Sequence, residues 1–387
     1  MSHEKNKISL PPAVVEQLEL KTDTKLQLSL SGQKMIIEPL QQKTETQTVS
    51  LRWFLIPSII SSLIFIAYFH LNDYSQIMMT GSKSIASMVI LLGLLSGMCS
   101  FIVFFIQAKK KKITNLKAIY WRNLPTILLS FTVILGVLLV GFFWLVGIVF
   151  EGASFDLLTA TLIFFLFTSL VNYLMIYFAL AISPALITTL LISMIVGGVL
   201  LAMATNSQLQ WWQKNFSFLG TNEAKDSWQF NLTLMISALL MIALVDYLFV
   251  LLHHLYPKNL RLTLLRIFLT LTALDLGAVG FFPNNGHSRM HELHNQAANL
   301  LVYMIILLIV AIKWLLPKVT KEFLSISYLI GAILFVANLL FSAVGYLSLT
   351  AFELIAFFLA FSWILLLLQH LQKLAANTGT VYPVTLE

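Results

Sequence analysis

The chain has 387 residues, of which 58% are hydrophobic and only 11% charged, and its mean hydropathy is +0.87. Soluble domains are roughly half apolar and about a quarter charged, so the composition excludes a wholly soluble protein and predicts an integral membrane protein. The formal net charge is +7, and the single cysteine, Cys99, excludes intrachain disulfides and cysteine-based zinc sites.

The N-terminal segment, residues 1–48, is polar throughout and predicts a small β-rich domain. Within residues 7–40 the pattern favours a short strand, an amphipathic helix that begins at prolines, and two alternating strands around Ser31-Gly32-Gln33. A unit of this size buries too little apolar surface to be comfortably stable alone. We therefore expect it to form a homodimer.

Three features of this segment carry a family resemblance: Ile8-Ser9-Leu10-Pro11, Leu18 and Leu20 at the end of the helix, and Met35-Ile36-Ile37-Glu38-Pro39. Together they resemble the AbrB/MazE-like swapped-hairpin domain. The resemblance implies an interlaced dimer. In many members it also implies DNA binding through basic residues beside the first strand, which here would be Lys5 and Lys7.

The charge of this segment leaves two roles open. Residues 1–48 contain six lysines and six acidic residues, so their net charge is zero, which is poor for binding phosphate backbones. The family's usual glycines after the helix are also replaced. DNA binding therefore stands beside a role in dimerisation or protein docking that has kept only the fold.

Ten apolar segments follow, each long enough to cross about 30 Å of hydrocarbon as a helix. The longest uncharged run is divided at Ser183-Pro184, where proline predicts a tight hairpin. The predicted spans are 52–71, 84–108, 124–150, 157–183, 184–205, 230–256, 262–283, 294–317, 323–347 and 349–374.

The distribution of basic residues predicts the orientation of these spans. With the N-terminus inside, the inner loops and flanks of the membrane region hold fourteen Lys and Arg residues and the outer loops hold four. This asymmetry is the positive-inside pattern. It predicts a multi-pass protein of the cell membrane with both termini cytoplasmic, including the tail 375–387. The sequence before the first span lacks the layout of a cleaved signal peptide, so the first span is expected to direct insertion.

Three acidic residues, Asp246, Asp275 and Glu353, lie within predicted spans. Ionisable groups in a membrane are energetically costly, so each is a candidate for function. The alternative is a hydrogen bond or an ion pair between helices. Asp275 and Glu353 are expected near the outer face, whereas Asp246 is expected near the middle of its span.

The outer loop before the eighth span contains His287, His291 and His294 at i, i+4 and i+7. On a helix these positions fall within about 40° of one face. Three imidazoles could hold zinc, with Asp275 or Glu353 supplying a carboxylate as ligand or as base for a bound water. The same residues could instead bind a polar ligand or headgroup, or hydrogen-bond the loop.

A second resemblance covers residues 184–374. It is carried by Asn215-Phe216-Ser217-Phe218-Leu219-Gly220, Phe230-Asn231, and Phe282-Pro283 followed by His287, His291, His294 and Asn295. This series resembles a family of six-helix bacterial membrane proteins of unknown function, which is similar to the DRAM superfamily. The resemblance implies that the outer loops carry the shared polar residues, here Asn215, Ser217, Gly220 and Asn295, and it supplies no reaction.

The sequence thus predicts an all-α polytopic membrane protein of about ten transmembrane helices with a small β-rich, AbrB-like N-terminal domain. Its parts are residues 1–48, a four-helix segment 52–183, a six-helix domain 184–374 and the tail 375–387. The favoured function is a non-enzymatic, cofactor-free sensor or regulator that responds to a lipid or small ligand. A zinc-dependent hydrolase of lipid at the outer face and a transporter are the alternatives. Neither GxxxxGK[ST] nor GxSxG occurs, which argues against ATP-driven and serine-hydrolase chemistry.

Overall fold

The computed structural model describes residues 25–31, 34–39, 51–110, 119–286, 289–376 and 380–385. The chain divides into two compact units. One is the membrane unit, residues 49–374, and the other is a terminal unit made from residues 1–48 and 375–387. Lys5 and Lys7, and the strand and helix predicted around them, lie outside the described residues.

Ten helices of the described chain are long and apolar enough to cross a membrane, which confirms the predicted spans. A 3₁₀ turn, Trp121–Asn123, precedes the third of them, and the second contains a π-helical turn at Val89–Gly93. The helices are α1 Leu51–Leu71, α2 Ile85–Lys110, α3 Leu124–Val149, α4 Leu157–Ala181, α5 Pro184–Thr205, α6 Trp228–Leu255, α7 Leu260–Phe281, α8 Arg289–Leu315, α9 Lys321–Ser342 and α10 Leu349–Ala376.

The predicted hairpin between α4 and α5 is present. Helix α4 ends at Ala181, and Pro184 is the first residue of α5, where a missing N–H costs nothing. The Ser183 hydroxyl caps α5 by accepting a hydrogen bond from the Leu186 amide at 3.2 Å. At the other end of α4, the Asp156 carboxylate accepts hydrogen bonds from Thr159, and these lower the pKa of Asp156.

Helix α6 is the most enclosed of the ten, because 72% of its most apolar 18-residue stretch is buried inside the protein. It packs against α5 on one side and α7 on another, and α7 in turn packs against α8. The backbones of α6 and α7 approach closely at Gly280, where an added Cβ would lie 2.7 Å from the Asn231 carbonyl oxygen. Small residues allow such close packing between membrane helices.

A buried side-chain amide on α4 joins that helix to α1 and α2. Asn172 Oδ1 accepts a hydrogen bond from the Ser100 hydroxyl at 2.7 Å, and its Nδ2 donates to the Ser96 hydroxyl at 2.9 Å. Asn172 Nδ2 also lies 3.4 Å from the Ser58 hydroxyl on α1. Polar side chains of this kind hold helices together where water is absent.

Two small sheets accompany the helices. In the membrane unit, β3 Ile77–Met78 pairs with β4 Ser154–Phe155 and ties the loop after α1 to the loop after α3. In the terminal unit, β1 Lys25–Ser31 pairs antiparallel with β2 Lys34–Pro39 on either side of the predicted turn. The tail supplies a strand that the sequence did not suggest, β5 Thr380–Thr385, which pairs antiparallel with β1 and gives the order β2-β1-β5.

Candidate functional site

A polar cavity of about 380 Å³ lies between the α5–α6 and α7–α8 loops of the membrane unit, and we call it the loop cavity. Most of its lining can form hydrogen bonds. Four asparagines, a histidine and one pair of opposite charges contribute: Asn215, Asn222, Asn284, Asn285, His291, Lys214 and Glu223. By the predicted topology this cavity opens on the outer face.

The α5–α6 loop is folded into short 3₁₀ turns, Ser207–Leu209, Trp211–Gln213 and Phe216–Gly220. Buried aromatic side chains in these turns pack on the ends of the neighbouring helices. The buried amide of Asn206 closes the loop, because its Nδ2 donates to the Lys225 carbonyl at 3.0 Å and its Oδ1 accepts from the Lys225 amide at 2.7 Å. The loop is therefore an ordered wall of the cavity.

Helix α10 fixes this wall from the side. The carboxyl group of Glu353 accepts hydrogen bonds from the Phe216 amide at 2.6 Å and from the Ser217 hydroxyl at 3.2 Å. One turn earlier, the Thr350 hydroxyl donates to the Lys214 carbonyl at 3.2 Å. The predicted motif residue Ser217 and the predicted acid Glu353 are thus brought together, as partners that position a loop.

Gly220 makes a close approach to α6 possible. The Asn231 side chain donates to the Gly220 carbonyl at 3.0 Å, and a Cβ added to Gly220 would lie 2.4 Å from Asn231 Oδ1. A Cβ at that distance would displace the Asn231 side chain and disturb this hydrogen bond. Gly220 and Asn231, both part of the sequence motif series, therefore join the loop to the central helix.

The α7–α8 loop forms the opposite wall. The two loops are joined by a hydrogen bond in which the backbone N–H of Asn222 donates to Asn285 Oδ1 at 2.7 Å. His291 Nδ1 donates to Asn284 Oδ1, an atom that can only accept. Nε2 of His291 then accepts from Asn295 Nδ2 at 3.0 Å. His291 thus links Asn284 of the loop to Asn295 on α8.

The charges at the cavity balance one another. The Lys214 ammonium lies 2.8 Å from a Glu223 carboxylate oxygen and lowers the pKa of Glu223, and it also sits 4.1 Å from the centre of the Phe218 ring. One acceptor is left over. Asn215 Oδ1 is buried and accepts no hydrogen bond from the described part of the chain.

His294 and Asp275 are two of the predicted residues that do not line the cavity. His294 is buried at 4% exposure, and its Nδ1 lies 2.8 Å from the Phe282 carbonyl and 3.1 Å from the Val279 carbonyl, so it holds the end of α7. Asp275 is buried at 7% exposure on α7, and its Oδ2 has no partner among the described residues.

The predicted zinc ligands are not gathered in the described part of the chain, where no three His, Cys, Asp or Glu side chains form a group able to hold a metal. His291, His294 and Glu353 each bind a different part of the loops. His287 lies outside the described residues. The zinc interpretation therefore depends on His287 and stays a prediction.

Several lining residues were not singled out from the sequence, among them Lys214, Asn222 and Glu223. Lys214 counted only as one of the four basic residues of the outer loops in the topology argument. The sequence signal that could have found them is the density of asparagines in two loops on the same predicted face. Such a density favours a hydrogen-bonding site over loops that only connect helices.

Residues 187–370, slightly less than half of the chain, match the model of a family described as "Protein of unknown function (DUF998)". The matching segment contains all the cavity residues named above, and it falls within the region that resembles a six-helix family of unknown function. Searches of curated proteins and of solved structures gave no match. None of these comparisons identified an AbrB-like domain in residues 1–48.

Proposed function

We propose that this multi-pass membrane protein is a non-enzymatic sensor whose loop cavity binds a neutral, hydroxyl-rich ligand, such as a sugar or the sugar headgroup of a glycolipid. One observation carries the proposal: four asparagine side chains surround a single cavity, and the buried Oδ1 of Asn215 lacks a donor within the described chain. A buried acceptor without a partner costs about 1–3 kcal/mol, and a ligand hydroxyl that reached Asn215 Oδ1 would relieve that cost.

The chemistry of the lining favours hydroxyl groups. Amide side chains both donate and accept hydrogen bonds, as hydroxyls do. The Lys214–Glu223 pair cancels its own charge, so the cavity has no excess charge with which to select an ion. Its volume of about 380 Å³ lies in the usual range for small-molecule sites, which is roughly 300–1,000 Å³.

The terminal unit is the proposed reporter of ligand binding. An even number of spans and the pairing of β1 with β5 both support the placement of the two termini on one side of the membrane. The positive-inside pattern favours the cytoplasm of the cell for that side. There an AbrB-like domain could dimerise, and could bind DNA through Lys5 and Lys7 or dock a protein.

Thermal unfolding of the full-length protein in nanodiscs tests the ligand. We expect glucose in solution, or monoglucosyldiacylglycerol in the disc, to raise the unfolding temperature, because a ligand of the folded state stabilises it. Which of the two acts distinguishes a free sugar from a glycolipid. If neither shifts the wild-type protein, the hydroxyl-rich ligand class is wrong.

Two matched variants locate the effect. Asn215→Ala should lower the affinity for the active probe about tenfold through loss of one good hydrogen bond. It should not destabilise the ligand-free protein, because it removes an acceptor that has no partner. Asn72→Ala alters an exposed asparagine at the end of α1, away from the cavity, and should bind the probe normally. Equal binding by both variants would reject the loop cavity as the site.

Dimerisation and DNA binding are tested separately on the full-length protein. Chemical crosslinking in nanodiscs should trap a dimer, and chromatin precipitation should recover specific DNA if the AbrB-like domain binds it. A gel shift with the purified protein at low salt, where phosphate contacts are strongest, is the stricter test. Absence of DNA binding there would leave only the dimerisation or docking role.

A further inference from the structure

A charged cluster lies deeper along α6, away from the loop cavity, and we call its three residues the Asp246 cluster. Asp246 is 3% exposed. Its Oδ2 accepts hydrogen bonds from Nε and Nη2 of Arg122 at 3.0 and 2.5 Å, and its Oδ1 accepts from Nη2 of Arg266 at 2.9 Å. One carboxylate is thus held between two guanidinium groups, and the cluster keeps one positive charge.

The surroundings of Arg122 place that side of the cluster at the level of lipid headgroups. Arg122 belongs to the 3₁₀ turn before α3, next to Tyr120 and Trp121, whose side chains are 43% and 51% exposed. The Lys109 ammonium lies 5.1 Å from the Trp121 ring. Exposed Tyr and Trp beside Lys and Arg mark the boundary between hydrocarbon and water.

The two arginines retain the capacity to bind a further group. Each guanidinium carries five N–H donors. Asp246 accepts only three hydrogen bonds from the pair, and the side chains of Arg122 and Arg266 are 64% and 30% exposed. An uncompensated charge beside hydrocarbon is costly, so an anion at this position would be favoured.

We propose that Arg122 and Arg266 bind the phosphate group of an anionic phospholipid, such as phosphatidylglycerol. Guanidinium groups match phosphate oxygens geometrically and bind them in a bidentate manner. Tyr120 and Trp121 would lie beside the glycerol backbone of that lipid. Inorganic phosphate shares the recognised chemistry, but it does not use this aromatic border.

The position of the cluster gives such a lipid a structural consequence. Arg122 lies in the part of the chain before the matched family segment, whereas Asp246 and Arg266 lie within it. A phosphate bound by both arginines would therefore join the first four helices to the last six. The bound lipid would stabilise the assembled bundle as well as occupy its surface.

Native mass spectrometry of the full-length protein, purified in neutral detergent, tests the proposal by titration with phosphatidylglycerol and phosphatidylcholine. We expect phosphatidylglycerol to bind at least about tenfold more tightly, because only it carries net negative charge. Thermal unfolding should show a matching rise in unfolding temperature with phosphatidylglycerol, and a much smaller rise with inorganic phosphate. An equal rise with phosphate would overturn the lipid as the source.

Variants identify the residues. Arg122→Gln leaves a neutral Asp246–Arg266 pair and should lose most of the preference for phosphatidylglycerol. Arg122→Lys, which keeps the charge without the bidentate geometry, should be intermediate. Arg261→Gln is the matched control, because it removes an equal charge from the first turn of α7. There the guanidinium carbon of Arg261 lies 5.6 Å from the centre of the Trp314 ring.

Asp246→Asn supplies a second measurement if Arg122→Gln does not fold. It leaves both arginines in place, so phosphatidylglycerol should bind at least as tightly as to the wild-type protein, although the lipid-free protein unfolds at a lower temperature. Unchanged lipid preference in Arg122→Gln, or an equal loss in Arg261→Gln, would overturn the proposal. So would weaker phosphatidylglycerol binding by Asp246→Asn.

Discussion

Replacement of Glu353 by alanine should release the wall of the loop cavity while the bundle stays folded. In the wild-type protein the Glu353 carboxyl group accepts hydrogen bonds from the Phe216 amide and from the Ser217 hydroxyl. Phe216 is only 6% exposed, so its amide would have no water to replace the lost acceptor. The 3₁₀ turn Phe216–Gly220 is therefore expected to open more often.

The size of the effect follows from these two contacts. A buried amide left without an acceptor costs about 1–3 kcal/mol, and the hydroxyl contact adds about 1 kcal/mol. The lower end of their sum, about 2 kcal/mol in the free energy of local opening, corresponds to at least roughly 30-fold faster amide exchange. Glu353→Gln keeps the shape and one carbonyl acceptor, so its effect should be smaller than that of Glu353→Ala.

Hydrogen–deuterium exchange of peptides that cover residues 211–221 measures this opening. Exchange should accelerate there and stay unchanged in peptides from α1 and α2. Glu322→Ala is a matched control, since Glu322 is an exposed glutamate in the first turn of α9. Unaltered protection of residues 211–221 in Glu353→Ala would refute the assignment of Glu353 as the anchor of the loop.

Three further results are expected elsewhere in the membrane unit. Gly280→Ala should destabilise the protein by about 1–3 kcal/mol in unfolding by detergent titration, because the new Cβ would press on the Asn231 carbonyl, whereas Gly141→Ala meets open space and should be neutral or stabilising. Asn172→Leu should cost about 0.6–2 kcal/mol in the same titration through loss of its contacts to α1 and α2, and a neutral result would mean that these contacts add nothing. Cys99 is exposed on α2 within a span, so a charged maleimide should label it after denaturation by detergent but not in intact membranes.

The helices were predictable because a membrane span depends on local composition. Twenty apolar residues predict a span wherever they occur, and proline after Ser183 predicts the break between α4 and α5. The end points were less certain. Helix α8 begins at Arg289, five residues before the predicted start, because nothing in the apolar pattern records that a polar stretch continues the helix.

The candidate site was less predictable because its contacts are not local. Glu353 was recognised as a costly acid, but its partner is the backbone amide of Phe216, and a backbone group leaves no mark on the sequence. The same holds for His294, whose partners are carbonyl groups. Strand β5 was missed for a related reason, since its pairing with β1 joins the two ends of the chain.

Helix α6 carries Asp246 of one proposed site and holds the loop of the other through Asn231, so the two sites should influence one another. Asn231 holds the loop at Gly220, and Asp246, fifteen residues later, holds the two arginines about 22 Å along the same helix. A helix this enclosed cannot shift at one end without disturbing its neighbours at the other.

Coupling between two binding sites is reciprocal. Phosphatidylglycerol should therefore change the affinity for the active sugar probe by some factor, and that probe should change the affinity for phosphatidylglycerol by the same factor. Titration of each ligand with and without the other measures both factors. Arg122→Gln should abolish the coupling while leaving sugar binding itself intact, and coupling that survives in this variant would show that the Asp246 cluster does not carry it.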